Sequence, residues 1–463
     1  MDNFDDNIQL LIKEYFEYSQ KNIPHFFDPD DYVDIIEYFI DNDMMPHARQ
    51  AIAHAEKKYP DQEIILDKKA EILFAEPQGY PKALKVLLSI PDPQESMTFG
   101  MIAECYVHLK KIDLAIQYFD TLLLKTDNDL LHDTIIDIAN ILTDNEYYQQ
   151  SLKYTEMGIN LFPDDSTFLL LKSAALADSG NIDEALSICN SLIDRDPYLH
   201  EVWSLMATIY MNTDHLTDAI RCFDYLLAIT PDDTDALRLK GFCHYRLDDY
   251  SSAITTLEKY CTSVTDDYQT LLTLAFCHMH DNPSRAKQLF LTIIDNYPIY
   301  PEAFTGYAEY LYYDQSPKEA LEVINRASLL FPNDTIIRYF KAKYTLDITP
   351  STDINTILQC IDKLNACIDD QPKHATFHYT IATAYIKINQ IAQAYKHFTI
   401  AYSNGYTQDN IFVYLSIAAW ILTDNDMFVK YYHEAISHYS NAHTLIANII
   451  PDAITYLDSL EKS

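Results

Sequence analysis

The stretch HLTDAIRCFDYLLAITPDD, residues 215–233, decides the fold. It contains no paired catalytic groups, no metal-ligand spacing and no glycine loop. Its skeleton is a small residue, Ala219, an aromatic four positions later, Phe223, and a proline eight beyond that, Pro231. The segment PKEALEVINRASLLFPND, residues 317–334, repeats the pattern with Ala320, Ile324 and Pro332. Stepping along the chain, the small residue recurs at Ala48, Ala83, Ala115, Ser151, Ala185, Ala219, Ala253, Ala286, Ala320, Cys360 and Ala394. Successive separations are 35, 32, 36, 34, 34, 34, 33, 34, 40 and 34 residues. A period near 34 marks a repeated helical hairpin.

A second small residue lies about twelve positions upstream of most of these: Ala103, Ala139, Ser173, Ala207, Gly241, Ala308 and Ala382. Small side chains at matched places on two helices let them approach closely. Pro60, Pro163, Pro197, Pro231, Pro298, Pro332 and Pro372 each fall twelve residues after the small residue of their unit. Proline lacks an N–H and clashes with the preceding turn, so it ends the second helix. Next come PDDST (163–167), PDDTD (231–235) and PNDT (332–335). Their Asp, Ser and Thr side chains can accept from the free N–H groups of the following helix, and carboxylates suit its dipole.

These residues resemble the tetratricopeptide repeat. Unit 200–233 reads Trp203, Met206, Ala207, Tyr210, Ala219, Phe223, Leu226, Pro231; unit 375–408 reads Ala382, Tyr385, Ala394, Phe398, Ala401, with Tyr406 where proline is usual. The resemblance covers about twelve units over 29–442, with 63–95, 132–165 and 409–442 degenerate. In the last of these Ala435 is kept, but Phe428 stands where alanine is usual. It implies an all-α, right-handed superhelical solenoid of antiparallel helix pairs. Segments 1–28 and 443–463 would supply helices that cover its ends. The separation of 40 before Cys360 places about six extra residues near Asp347–Thr352, expected to emerge as a loop at one edge of the solenoid.

Composition agrees with helix and constrains function. Only 7 glycines occur, which predicts continuous helix and few positive-φ turns. Acidic residues number 69 against 33 basic, net −36, a field that repels phosphate backbones and anionic lipid heads. Nucleic-acid and membrane-surface roles are therefore disfavoured. The acidity serves either the solubility of a long surface or the attraction of basic partners. The start, MDNFDDNIQLLIKEYFEYSQ, lacks a signal peptide's basic region and apolar core. No run of about 18 apolar residues is present. A cytoplasmic location is expected, with the 8 cysteines as reduced thiols.

No catalytic constellation, cofactor motif or metal motif is found, so the chain is read as non-enzymatic and cofactor-free. Cys105, Cys243 and Cys277 sit two residues after the small residue of a first helix, and Cys360 and Cys367 fill two alanine slots. Cysteine there acts as a small hydrophobe. In Cys277-His278-Met279-His280, adjacent helical residues point in different directions and cannot converge on one ion.

In the family, first helices line a concave groove that holds peptides. The resemblance implies which slots face it: three before, one after, and four to five after the small residue of each first helix. These hold Ser204, Thr208, Met211 and Asn212, then Arg238, Phe242, Tyr245 and Arg246, then Leu272 and Phe276. Thr305, Glu309, Tyr312 and Tyr313 follow, then Tyr339 and Lys343, then Tyr379, Thr383 and Lys387. From Arg238 onward bases and aromatics interleave with the single acid Glu309, against two acids per base in the whole chain. Such a strip either binds an extended acidic or C-terminal peptide, or packs between helices with its bases paired locally. The Lys and Asn clamp of chaperone-tail binders is not reproduced, since its slots hold Gly100, Ile136 and Leu170. The expected function is an interaction scaffold for a protein or peptide partner. The alternatives are a regulatory subunit whose catalytic centre lies on another chain, or a structural homo-oligomer.

Overall fold

The computed structural model describes residues 2–461 apart from 22, 315 and 409, and the side chains from 7 to 457. Among the described residues every regular element is an α-helix. The chain divides into two compact units, Met1–Pro231 and Asp232–Ser463. Each is a stack of helix hairpins in which every helix touches the next in sequence and successive first helices also meet, as Thr234–Arg246 meets Tyr268–Asp281.

The recurring small residue has one structural place. Ala115, Ser151, Ala185, Ala219, Ala253, Ala286, Ala320 and Ala394 are each the fourth residue of a second helix, and all are fully buried. Their partners on the first helices, including Ala103, Ala139, Ser173 and Ala207, are buried as well. At Gly241 a Cβ would come 2.3 Å from the side chain of Leu257 on the paired helix, so a larger residue here would force that buried leucine to move. Phe428, the aromatic exception, is also a fourth residue and fully buried, with its ring 5.1 Å from Trp420.

The prolines stand immediately after the C-cap of each second helix, for example Pro163 after Phe162, Pro231 after Thr230 and Pro332 after Phe331. Asp165, Asp233 and Asp334 then accept from backbone N–H groups of the following helix, as the sequence suggests. Asp28, Asp249, Asp267, Asp353 and Asp424 cap other helices in the same way. Part of the acid excess is therefore structural, placed where helix dipoles stabilise it.

The glycine-based expectation about turns fails. Asp43, Lys110, Glu146, Asp214, Asp248, Asn389 and Thr423 have φ between 56° and 66°, and each lies five residues before the small residue of its second helix, or, for Thr423, before Phe428 in that place. The first helices that precede these residues close on a carbonyl five residues back, as when His215 N donates to Tyr210 O at 2.8 Å and Lys111 N to Tyr106 O at 2.8 Å. This closure needs one left-handed residue, and the chain accepts its cost in a non-glycine side chain. Thr423, β-branched at φ 62°, bears the largest penalty. Thr423→Gly is expected to stabilise the Asp232–Ser463 unit by about 0.5–1 kcal/mol. Chemical denaturation checks this, and a destabilised variant contradicts it.

The extra residues before Cys360 do not form a simple edge loop. The helix Thr335–Ile348 runs one residue longer than its counterpart Thr234–Arg246. The connection 349–353 holds two residues more than 247–249, and Ile354–Asp370 starts with three extra residues, placing Cys360 seventh. Four of the six extra residues are thus helical, where their backbone groups are satisfied within the turn. At the N-terminal end, Asp2–Lys21 is anchored by buried Tyr15, whose hydroxyl lies 3.0 Å from His54 Nδ1. The C-terminal segment forms two helices, Ala442–Ile449 and Pro451–Glu461, instead of one, with Pro451 at the break. Residues 1, 22, 462 and 463 of the expected end caps lie outside the described residues.

Candidate functional site: the first-helix face

In the Asp232–Ser463 unit the first helices that hold the strip are Thr234–Arg246, Tyr268–Asp281, Pro301–Tyr313, Thr335–Ile348 and Ala375–Lys387. The sequence-derived strip divides into side chains used for packing and side chains left on the face. Tyr339 is only 4% exposed; its ring stacks on Phe377 at 4.6 Å and its hydroxyl lies 3.0 Å from Thr380 Oγ1. It is a packing residue, corrected from the binding strip. Lys387 Nζ donates to Leu346 O at 2.6 Å and so closes the carbonyl end of the preceding first helix. That position suits a cation at the helix C-terminus. Phe276 packs edge-on against buried Phe290 at 5.5 Å, and Tyr379 stacks on Tyr406 at 4.6 Å. Arg238 pairs with Asp235 at 3.5 Å and lies 5.9 Å from the Phe242 ring. Thr208 and Asn212, in the Met1–Pro231 unit, are exposed, and the Thr208 hydroxyl bonds back to Ser204 O.

What remains is a tighter group. Lys343 Nζ stands 4.8 Å over the Tyr312 ring, 5.5 Å from Tyr344 and 6.0 Å from Phe340. Tyr312 and Tyr344 stack at 5.0 Å. Such placement attracts an ammonium to the ring faces. Glu309, from the neighbouring helix, has its carboxyl pushed up by burial, opposed by the Lys343 charge. Burial chiefly, and then Cys277, Asp248 and Glu309, push up the Tyr245 hydroxyl. The Tyr344 hydroxyl is buried with no hydrogen-bond partner, and it too is held protonated by burial and by Glu309. Phe242 and Tyr245 are part-exposed, and Arg246 is exposed. Sequence reasoning found Lys343 and Tyr312 but not Tyr344, because a face shared between adjacent hairpins is not encoded by either hairpin's period.

The thiols behave as packing groups. Burial pushes Cys105, Cys222 and Cys277 up to about 12, so they are protonated near neutrality. Among the described residues no three His, Cys, Asp or Glu side chains gather to hold a metal ion. His278 instead faces Glu258 and Asp281, each at 3.8 Å. No described helix is long and apolar enough to cross a membrane.

The profile of the tetratricopeptide repeat family matches residues 206–273. The N-terminal acetyltransferase A complex auxiliary subunit NAA15 of Arabidopsis thaliana is 23% identical over 160 residues, spanning 34% of this chain and 18% of that protein. The chain thus matches less than one fifth of that relative's length. Among solved structures, yeast Tom70 superposes with TM-score 0.45 at 14% identity, covering 92% of this chain and 93% of that one. Cut9–Hcn1, an APC/C hetero-tetramer, gives TM-score 0.40 at 13% identity, covering 90% and 94%. The match over 206–273 shows that this segment carries tetratricopeptide repeats, and its hairpins have buried small residues that recur through both units at a period of about 34.

Proposed function

We propose that the chain is a non-catalytic interaction scaffold that binds an extended segment of a partner protein along the first-helix face of the Asp232–Ser463 unit. The observation that carries this reading is Lys343 held over Tyr312 beside the half-buried Glu309, with Phe242 and Tyr245 part-exposed on a preceding first helix. Rings offer contact area at small entropic loss, and the cations supply donors for backbone or side-chain oxygens. Such a face binds without transferring a group. Eight free cysteines, seven of them buried, fit a reducing compartment such as the cytoplasm.

The test is affinity capture from native extract with the wild type and with Arg238→Glu, Arg246→Glu and Lys343→Glu combined. The variant is expected to lose captured protein while keeping its helical circular dichroism. An unchanged set of captured proteins removes the proposal. Similarity to part of an acetyltransferase auxiliary subunit favours a second reading, a non-catalytic subunit of an enzyme complex. Stoichiometric co-purification of a catalytic chain would distinguish it.

A further inference from the structure

The long repeat carries a basic cavity away from the first-helix face. Ser328 and Pro332, at and just beyond the end of the helix Pro317–Leu330, form one wall. Arg338 and Lys341 of Thr335–Ile348 form the floor, and Lys363 and Ala366 of Ile354–Asp370 form the other wall. The cavity measures about 320 Å³. Its lining shares no residue with the group around Lys343, although Arg338 and Lys341 lie on the same helix as Lys343. Arg338 and Lys341 are three apart on one helix and therefore neighbours on its surface.

The polar contacts show what these groups accept. Arg338 and Thr335 already hold one carboxylate, that of Asp370, with Thr335 Oγ1 2.9 Å from it. Those hydrogen bonds keep Asp370 below the usual carboxylate range. Arg338 Nε is buried without a hydrogen-bond partner. Lys341 Nζ donates to Ser328 Oγ at 2.9 Å, a bond that uses one of its three protons. Among the described residues no carboxylate lies within 4.0 Å of Lys341 or Lys363, and Lys363 is exposed. Once Asp370 has neutralised Arg338, two positive charges remain on the cavity wall of a chain whose net charge is −36.

We infer that this cavity binds the carboxylate side chains of an acidic segment of a partner protein. Charge complementarity selects an anion. The volume suits one or two side chains, and the rim of Pro332 and Ala366 suits their methylenes. The acidic surface elsewhere opposes a nucleic acid, whose charge is continuous along its length. It opposes a short acidic peptide too, so any binding of one must be local.

The test uses labelled hexaglutamate and fluorescence anisotropy at low ionic strength, with labelled hexaglycine as the control peptide. The wild type is expected to bind hexaglutamate, and Lys363→Glu or Lys341→Glu/Lys363→Glu to weaken binding at least tenfold. A charge-matched variant at exposed sites elsewhere, Arg285→Glu/Lys318→Glu, should weaken it by less than threefold. Melting curves establish that each variant is folded, and Lys363→Glu, altering an exposed side chain, keeps the test decisive if the double variant is not. No binding by the wild type, or equal losses in the pocket and charge-matched variants, overturns the inference. Loss on Arg246→Glu/Lys343→Glu with retention on Lys363→Glu also overturns it, while leaving the first-helix proposal standing.

Discussion

Phe290→Ala is expected to destabilise the Asp232–Ser463 unit by about 3–5 kcal/mol. Phe290 stands four residues after Ala286, in the register of Phe223 after Ala219. Its ring is fully buried, with Phe276 at 5.5 Å edge-on, Tyr307 at 6.1 Å and Tyr310 at 6.3 Å. The adjoining first helix comes so close that a Cβ on Gly306 would lie 2.8 Å from both Phe276 and Phe290. Rings locked from several sides cannot collapse into the space left by truncation, so the cost belongs at the upper end of that range. In a repeat array the loss also weakens both neighbouring interfaces. Chemical denaturation measures it, with Leu291→Ala, a partly exposed neighbour, as a control expected within about 0.5 kcal/mol of wild type. A loss below about 1 kcal/mol for Phe290→Ala would contradict the packing argument.

Asp67→Asn is expected to stabilise the Met1–Pro231 unit at pH 7 and to leave it nearly unchanged at pH 4. Asp67 is buried in the helix Glu63–Phe74, and its Oδ1 has no hydrogen-bond partner. Burial pushes its carboxyl up to about 6; Glu63 and Glu95 add to the effect, while the Thr98 hydrogen bond and Lys68 oppose it. Thr98 Oγ1 lies 2.8 Å from Asp67 Oδ2 and 3.0 Å from Glu63 Oε1, yet it has a single proton to donate. The native state therefore holds a proton on Asp67 more tightly than the unfolded chain does. Stability associated with this group is present below about pH 4 and is lost as pH rises through about 6. Carrying the charge at pH 7 costs at most about 3 kcal/mol. Asparagine removes the charge and can still accept from Thr98. Melting temperatures of both proteins at the two pH values check the difference. Equal gains at both would show that the charge is not the cause.

The hairpin period was legible because its determinants are local. A small residue such as Ala219, a ring four positions on and Pro231 act within one or two helical turns, and the caps Asp165, Asp233 and Asp334 act within three residues. The turn conformation was not legible from glycine content. The hydrogen bond from residue 215 to residue 210 fixes a left-handed residue at 214 whatever its side chain. Which side chains share the first-helix face was legible only in part. Register alone put Tyr339, Lys343 and Lys387 on one line, but Phe377 takes the Tyr339 ring and the carbonyl of Leu346 takes the Lys387 ammonium.

By itself the sequence determined an all-α array of hairpins, their spacing and their stops. Those follow from sterics and hydrogen bonds between residues a few positions apart. Tertiary structure alone decided which aromatic rings pack and which remain on the face, and how the residues before Cys360 were absorbed into helix. It also brought Arg338, Lys341 and Lys363 around one cavity. These outcomes depend on contacts between different helices, and the charge and ring type of a residue do not specify which neighbour will meet it.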